Sequence, residues 1–377
     1  MNSPQLRQEC AEKLLAAESQ ASQLTAFVGV DGFVDEIIHA VDKRESAEKF
    51  DRIRTMTQFA QRIAAAAGKS TNIELATQQI KLGGNGPIMA NALAGLGLKV
   101  TYLGSLGYPN IHPVFNEFAT RVETHSIADA CHTDALEFED AKLLLGKMTP
   151  IKDITWANIK ARFGGEKFSA KFGQSDLVGF VNWTMVTHMS DLWESLLSEL
   201  CPSLTGPRRK IFFDLADPEK RTEADIARAL DLISRFEKYF DVILGLNEKE
   251  AYEVAKVMDL RSKADSPDQL LALASEMSQK LKINTLVIHP VTYALAVSGD
   301  DAQIVEGPYI GTPMITTGAG DHFNSGFCLG KLLGFENAMC VLTGVTTSGY
   351  YVRTAQSPTI RQLAEMMKNW PGTHLNP

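Results

Sequence analysis

The sequence predicts an α/β protein with three layers, an αβα sandwich in which helices cover both faces of a mainly parallel sheet. Short apolar runs typical of buried strands alternate along the chain with segments of helical periodicity. Strands that alternate with helices are joined by crossovers, which make neighbouring strands parallel. Ligands of such sheets bind outside the carboxyl ends of the strands. Polar residues that follow predicted strands are therefore the first candidates for site residues.

Six apolar runs carry the prediction of the central sheet. They are AFVGV (26–30), VTYLGSLG (100–107), LVGFVNW (177–183), KIFFDLAD (210–217), DVILGLN (241–247) and TLVIHP (285–290). Helices are expected between most of them and before the first, where a helix should end near Ser22. We expect one domain over residues 1–377.

Two stretches, roughly 36–82 and 108–150, interrupt this alternation. The first contains EKFDRIRTMTQFAQRIAAAAG, with helical periodicity, and then NIELATQQIKL, which reads as a strand. The second contains HTDALEFEDAKLLLGKM, which has the character of a hairpin. Insertions at the ligand end of a parallel sheet commonly form lids, so we expect a small lid here. The alternative is a pair of long surface loops without a role in function.

Composition restricts the class of partner. The 377 residues are 45% hydrophobic and carry 45 acidic against 37 basic side chains, a formal net charge of −8 without a basic run. We therefore expect no nucleic-acid partner. The five cysteines lack disulfide or zinc spacing. The N-terminal residues lack an apolar signal core, and no stretch approaches the length of a membrane span. We expect a cytoplasmic protein without a membrane partner.

The sharpest motif is TTGAGDHFNSGFCLGKLLG, residues 316–334. Gly318 and Gly320 precede a predicted helix that Asp321 opens and Gly334 ends. Glycines before a helix let backbone N–H groups approach an anion closely. A carboxylate in the first turn is kept ionised by the helix dipole and can take a proton from a hydroxyl. A purely structural alternative is a glycine-rich turn with aspartate as a helix-start residue.

Three further segments carry polar residues beside predicted strands. KLGGNGPIMANALAGLG (81–97) has glycines and a proline suited to a helix start. In LGLNEKEA, Asn247 and Glu250 have the spacing of a capping box. VGVDGFVDEI offers Asp31 and Asp35 just past the first strand, and a carboxylate can accept two hydrogen bonds from vicinal hydroxyls. As turn or cap residues, all of these could equally be structural.

These motifs resemble, in identity and order, those of the ribokinase-type carbohydrate kinase family over roughly residues 26–360. The resemblance implies an ATP-dependent kinase that transfers the γ-phosphoryl group to a hydroxyl of a sugar-like substrate. It makes Asp321 the base, while the backbone amides of Gly318, Ala319 and Gly320 stabilise the developing charge.

The resemblance also implies the binding residues. The substrate residues it implies are Asp35 or Asp31, Gly83, Gly84, Asn85 and Asn182. It assigns Thr317 and His289 to the nucleotide and phosphate region. Asn247 and Glu250 would organise magnesium and the phosphates through water, which makes ATP and Mg²⁺ the expected cosubstrate and cofactor.

Several positions depart from the family pattern. Ile315 stands where the family has an aspartate that helps to hold a monovalent cation, so potassium activation is doubtful. His289-Pro290-Val291 lacks the glycine of the nucleotide loop, and Ile88 stands where asparagine is common. The stretch after Gly107 reads YPNIHP in place of an acidic segment. These changes indicate a divergent branch.

Three readings of the function follow. The first is a sugar kinase, the second a nucleoside or sugar-phosphate kinase, and the third a catalytically silent sugar- or nucleotide-binding regulator. The intact GAGD favours an enzyme. Strand-bearing lids of this fold often pair, so a homodimer through the lids is also a possibility.

Overall fold

The structure is a computed structural model that describes residues 2–371. The strands are β1 Thr25–Gly29, β2 Phe33–Arg44, β3 Phe50–Arg52, β4 Leu75–Gly83, β5 Lys99–Gly104, β6 Glu123–Ser126, β7 Cys131–Glu137, β8 Lys142–Lys147, β9 Leu177–Phe180, β10 Arg209–Asp214, β11 Phe240–Leu246, β12 Thr285–Ile288, β13 Tyr293–Ser298 and β14 Asp301–Glu306. The α-helices are α1 Pro4–Ala16, α2 Glu18–Ala21, α3 Met56–Ala65, α4 Asn85–Gly95, α5 Asn116–Ala119, α6 Trp156–Ile159, α7 Gly165–Gln174, α8 Met189–Ser195, α9 Glu223–Phe236, α10 Glu248–Val257, α11 Pro267–Leu281, α12 Ala319–Leu332, α13 Asn337–Thr354 and α14 Ile360–Lys368.

The main sheet has nine strands in the order β14-β13-β12-β11-β10-β9-β1-β5-β6. From β12 to β6 all neighbours are parallel, whereas β13 and β14 form an antiparallel edge. The six runs predicted as buried strands correspond to β1, β5, β9, β10, β11 and β12, so the mainly parallel sheet is confirmed.

Side chains of the central strands alternate between two apolar layers. In β10, Phe213 belongs to the layer that contains residues of α7 to α11, whereas Phe212 belongs to the layer with residues of α1, α4, α12, α13 and α14. Both faces of the sheet are thus covered by helices, which confirms the three-layer sandwich.

A second, five-stranded sheet stands at the carboxyl ends of the main strands, and we call it the lid. Its central strand β2 pairs antiparallel with β3 and β4 and parallel with β7, which continues antiparallel to β8. The lid is built from residues 33–83 and 131–147. Residues 123–126, which the sequence analysis places in the second insertion, instead join the main sheet as β6.

Helix α3 packs on the outer face of the lid. Phe59 contacts an apolar cluster with Ile38, Leu136 and Phe138. The helix is shorter than the periodicity of residues 48–68 predicts, because Phe50–Arg52 pairs with β2 as a strand. A capping box between Thr55 and Gln58 then starts the helix at Met56. The predicted hairpin is confirmed as β7 and β8.

All five cysteines are buried free thiols. Within residues 2–371, no helix is long and apolar enough to cross a membrane.

Candidate active site

A cavity of about 880 Å³ lies between the carboxyl ends of the main strands and the inner face of the lid. It brings together most of the side chains that the sequence singled out. The predicted residues that line it are Asp35, Gly84, Asn85, Asn182, Asn247, Glu250, His289, Thr317, Gly318, Gly320 and Asp321. Asp31, Gly83 and Ala319 lie behind this surface.

Asp321 lies in the first turn of α12, and its side chain is only 5% exposed. Asn85 Nδ2 donates to Asp321 Oδ1 at 3.1 Å, joining the two glycine motifs across the site. Burial raises the pKa of Asp321 to about 8, and the nearby Asp31 and Glu250 add to this rise. The expectation that the helix dipole keeps this carboxylate ionised is thus incomplete, because desolvation outweighs it.

Residues 316–320 form a glycine-rich turn that leads into α12, which begins at Ala319 and not at Asp321 as expected. We call this turn the anion-binding loop, after the role that the sequence predicts. Gly318 has φ +89°, in the left-handed region that glycine favours. The Ala319 N–H donates to Thr316 O at 3.1 Å and so closes the turn. Within residues 2–371, the N–H groups of Gly318 and Gly320 have no acceptor. Of the three backbone amides that the sequence singles out, these two are therefore free to donate hydrogen bonds to an anion beside the helix N-terminus.

Asp31 is placed beneath the cavity and not in it. Its carboxylate accepts hydrogen bonds from the backbone N–H of Asn85 at 3.1 Å, the N–H of Gly86 at 2.9 Å and Asn182 Nδ2 at 2.7 Å. Tyr102 Oη adds a fourth contact at 3.2 Å. Since Asp31 is fully buried and bonded on both oxygens, it holds the N-terminus of α4 and cannot reach a substrate.

Asp35 lies on the inner face of the lid and lines the cavity. Burial raises its pKa, while a hydrogen bond with Thr133 and the charge of Lys81 lower it. A Cβ on Gly83 would lie 2.4 Å from Asp35 Oδ2, so glycine is required there for this carboxylate to fit. The first glycine of the motif thus makes room for Asp35.

Asn182 follows β9 with φ +60°, a conformation that asparagine tolerates. Its Nδ2 donates to Asp31, whereas its Oδ1 is buried and has no hydrogen-bond partner among residues 2–371. A buried acceptor without a partner costs free energy. Asn182 lines the cavity, but this oxygen is itself shielded from it.

Asn247 and Glu250 form the predicted capping box of α10, which is confirmed. Asn247 Oδ1 accepts from the Glu250 N–H at 2.9 Å, and Glu250 Oε2 accepts from the Asn247 N–H at 2.8 Å. Glu250 Oε1 also accepts from the Asp217 N–H at 2.9 Å. Glu250 therefore holds the two segments that follow the neighbouring strands β10 and β11.

Asp214 is a site residue that the sequence analysis missed. It ends β10, lines the cavity and accepts a 3.0 Å hydrogen bond from Asn324 Nδ2. Burial, together with the charges of Glu250 and Asp321, raises its pKa well above the ordinary value. Its position as an acid at the carboxyl end of a predicted parallel strand was the available signal.

The residues around these three carboxylates fit a divalent cation. Asp214, Glu250 and Asp321 receive hydrogen bonds from backbone N–H groups and amide side chains, and among the described residues neither Lys nor Arg pairs with them. Burial raises the pKa of each carboxyl group, and the charge of Glu250 adds to the rise for Asp214 and Asp321. A cation beside them would offset this repulsion. Within residues 2–371, however, no group of three or more His, Cys, Asp or Glu side chains is arranged to hold a metal alone.

His289 lines the cavity behind the anion-binding loop. Its ring packs on Phe323 with centroids 4.8 Å apart, and its Cε1 would lie 3.2 Å from a Cβ on Gly320. Desolvation lowers the pKa of His289 to about 4, so the ring is neutral at physiological pH. Ile88 packs beside Gly318 of the same loop.

Comparison with solved structures identifies the fold as that of ribokinases. A putative sugar kinase from Clostridium perfringens has a TM-score of 0.61 at 14% identity, covering 92% of this chain and 96% of its own. Arabidopsis thaliana ribokinase, solved with ribose and ATP, has a TM-score of 0.59 at 13% identity, with 92% and 98% covered. Cryptococcus neoformans var. grubii ribokinase, solved with ADP, has a TM-score of 0.58 at 17% identity, with 91% and 98% covered.

The sequence comparisons narrow this to a family. A ketohexokinase from Haloferax volcanii is 27% identical over 337 residues, which cover 89% of this chain and 88% of that protein. The family model of prokaryotic ketohexokinases matches residues 5–370, nearly the whole chain. The resemblance seen in the motifs is thereby confirmed, and the chain belongs to the prokaryotic ketohexokinase family of carbohydrate kinases, phosphotransferases that act on a sugar hydroxyl.

Proposed function

We propose that this protein transfers the γ-phosphoryl group of ATP to a hydroxyl of a ketohexose, with Asp321 as the base. The observation that carries the proposal is the position of Asp321. We call the side of the cavity formed at the carboxyl ends of the main strands its floor. Asp321 lies on this floor, between Asn85 on the lid side and the anion-binding loop on the other. The family and the Haloferax relative support a ketohexose, and the ADP- and ATP-bound ribokinases support ATP as the donor.

The roles of the chain follow from charge and geometry. The Asp321 carboxylate takes the proton of the attacking hydroxyl as the oxygen–phosphorus bond forms. The N–H groups of Gly318 and Gly320 and the N-terminus of α12 stabilise charge on the transferring group. Thr317 and His289 border the same part of the cavity. Catalysis of this type depends on positioning and electrostatics.

A magnesium ion bound with ATP fits beside the three carboxylates. Glu250 and Asn247 would hold it through water, because their side-chain oxygens already cap backbone N–H groups. Mg²⁺ characteristically keeps several water ligands and takes phosphate oxygens from the substrate. When bound it screens the phosphate charge.

The acceptor is proposed to lie between the lid and Asn182. Asp35, Asn85 and Asn182 supply polar side chains for contacts with hydroxyl groups, while Gly84 borders the same surface. Lys81 and Lys142 also line the inner face of the lid, and they are the reason to keep sugar phosphates among the acceptors tested. Closure of the lid would exclude water from the phosphoryl group.

An acceptor panel tests this proposal. The protein with MgATP is incubated with a ketohexose, an aldohexose, a pentose, a nucleoside and a ketohexose phosphate, and ADP release is measured. Phosphorus NMR identifies the phosphorylated product. We expect the ketohexose to give the highest kcat/KM. A nucleoside or sugar phosphate that outperforms it would overturn the assignment of the acceptor, and absence of transfer to every acceptor would overturn the kinase.

We also propose that two copies pair through their lids. Ile80 and Leu145 are 52% and 45% exposed, and strand register places both on the lid face opposite Asp35. Light scattering of Ile80→Glu/Leu145→Glu should give the monomer mass where the wild type gives a dimer. Leu15→Glu, an exposed leucine on α1, is the control. A monomeric wild type would refute the pairing.

A further inference from the structure

Two side chains brace the back of the anion-binding loop, and neither takes part in the proposed chemistry. Tyr351 Oη donates to Thr317 O at 3.0 Å, and His322 Nδ1 donates to Gly318 O at 2.8 Å. The His322 backbone N–H donates to the same Gly318 oxygen at 3.1 Å. Two consecutive carbonyl groups of the loop are therefore held from the side away from the cavity.

A chain of hydrogen bonds fixes the tautomer of His322. Asn91 Nδ2 can only donate, so Ser357 Oγ accepts at 3.1 Å. Ser357 then gives its own hydrogen to His322 Nε2 at 2.9 Å. Gly318 O can only accept, so Nδ1 must carry the ring hydrogen. Ser357 and the Gly318 carbonyl group thus require the same tautomer of His322. Burial lowers the pKa of His322 to about 4, which keeps the ring neutral.

The two rings also support each other. The His322 and Tyr351 ring centroids are 3.6 Å apart with an interplanar angle of 12°, and the two residues are 1% and 8% exposed. A Cβ on Gly318 would lie 3.2 Å from Tyr351 Oη and 3.1 Å from Ile88 Cγ2. The loop thus lies between the cavity and a packed wall of side chains, where it has little freedom to rotate.

Peptide geometry connects this wall to the cavity. In a trans peptide unit, the C=O of one residue and the N–H of the next point in opposite directions. Holding Thr317 O toward Tyr351 therefore turns the Gly318 N–H toward the other side, where it has no acceptor among the described residues. Holding Gly318 O toward His322 likewise orients the Ala319 N–H, which closes the turn on Thr316 O.

We propose that Tyr351 and His322 are positioning residues for phosphoryl transfer, which aim the amide groups of the anion-binding loop at the transferring phosphoryl group. This inference rests on the proposed function, because it assumes that the loop receives that group. Neither residue is among the described residues that line the cavity. Their effect is to keep the loop in its binding geometry before ATP arrives, so that no reorganisation is needed during the reaction.

Single substitutions separate this role from a structural one. Tyr351→Phe keeps the stacked ring and removes only the donor to Thr317 O. Because loss of a whole oxyanion donor costs roughly 10²–10³ in kcat, a misaimed donor should cost about 10- to 50-fold. Acceptor KM should change less than about twofold, since the acceptor site is unchanged. Tyr350→Phe, the adjacent tyrosine of α13, is the matched control and should leave the kinetics unchanged.

Two replacements of His322 test the tautomer. The amide nitrogen of asparagine lies near the position of Nδ1, whereas that of glutamine lies near Nε2. His322→Asn should therefore retain the donor to Gly318 O and most of kcat, whereas His322→Gln should lose about as much as Tyr351→Phe. If kcat falls equally in the two variants, and in proportion to their melting temperatures, the inference is overturned and His322 only packs. Unchanged kcat in Tyr351→Phe and His322→Gln would overturn it as well.

A binding measurement and one further variant keep the two proposals distinguishable. Calorimetry with MgATP and MgADP should show that Tyr351→Phe weakens ATP more than ADP, because only ATP carries the group that the loop receives. Equal weakening would contradict the inference, whatever the turnover. If Asp321→Asn is inactive while Tyr351→Phe is normal, only the positioning role fails. If Asp321→Asn stays active, the proposed base fails.

Discussion

The floor of the cavity and the lid above it differ in how their residues are held. On the floor, Asp321 is 5% exposed, and the anion-binding loop is held by a hydrogen bond within its turn and by two side chains behind it. Glu250 accepts hydrogen bonds from backbone N–H groups of the segments that follow β10 and β11. On the lid, Leu144 lines the same cavity yet is 61% exposed. The half that would handle the phosphoryl group is held by many hydrogen bonds, whereas the half that would select the acceptor leaves an apolar side chain exposed beside the cavity.

The largest effect is expected on the floor. Asp321→Asn preserves shape but cannot accept a proton, so turnover should fall by roughly 10²–10⁴ while substrates still bind. Steady-state kinetics and calorimetry measure the two quantities. Near-normal turnover would eliminate Asp321 as the base.

The same variant should be more stable than the wild type at neutral to basic pH. The folded pKa of Asp321 is about 8, against an ordinary 3.8 when unfolded. Between these two pH values the carboxyl group is ionised in the unfolded protein but still protonated in the folded one. The free energy of unfolding therefore falls as pH rises, and the whole loss is present above pH 8. Melting curves of Asp321→Asn and the wild type should coincide near pH 4 and diverge, in favour of the variant, by pH 8. A lower melting temperature for the variant at pH 8 would support a structural role.

On the lid, the effect should be confined to the acceptor. Asp35→Ala removes charge-assisted hydrogen bonds worth about 1.5–3 kcal/mol, so acceptor KM should rise about 10- to 150-fold with little change for ATP. Glu36→Ala is the control, since register places Glu36 on the outer face of the same strand. Equal weakening of ATP and acceptor would give Asp35 a structural role.

A smaller effect is expected at the capping box. Glu250→Gln should raise the magnesium concentration for half-maximal rate by about 10-fold, as losses of outer-sphere partners do, and should leave acceptor KM nearly unchanged. A magnesium titration at saturating acceptor decides this. Glu248→Gln, in the same helical turn, is the control. Loss of stability alone would make Glu250 a capping residue only.

The smallest effect concerns potassium. Ile315 has no side-chain oxygen, and Tyr351 and His322 already occupy the carbonyl groups of Thr317 and Gly318. Replacing sodium with potassium at constant ionic strength should therefore change kcat by less than about twofold. Activation by an order of magnitude would show that other oxygens complete a site. Acquired potassium dependence in Ile315→Asp would place the missing ligand there.

The sequence predicted the floor better than the lid, for a physical reason. Buried parallel strands are continuous apolar runs, and the functional residues follow them directly, as Asn182 follows β9 and Asn247 follows β11. The lid strand β2 is buried at only half of its positions and mixes charged with apolar residues. Phe50–Arg52 became a strand only because β2 offered a partner, a tertiary contact that local periodicity does not contain.

Other residues were beyond prediction because their roles depend on long-range contacts. The resemblance favours Asp35 over Asp31 without excluding Asp31, and only the structure shows that the Asp31 carboxylate is fully hydrogen-bonded to α4 and Asn182. Tyr351 lies 34 positions from the carbonyl that it holds. Nothing in the residues around either partner indicates that contact.

Whether Asp321 removes the proton from the acceptor is tested most directly by the pH dependence of kcat/KM. The rate is measured at low concentrations of both substrates, where it reports on the free enzyme. Since only the ionised carboxylate can act, kcat/KM should rise with pH up to the pKa of about 8 and then level off. The residual activity of Asp321→Asn should lack this rise. A profile that is flat from about pH 6 to pH 9, or one that Asp321→Asn retains, would contradict a role for Asp321 as the base.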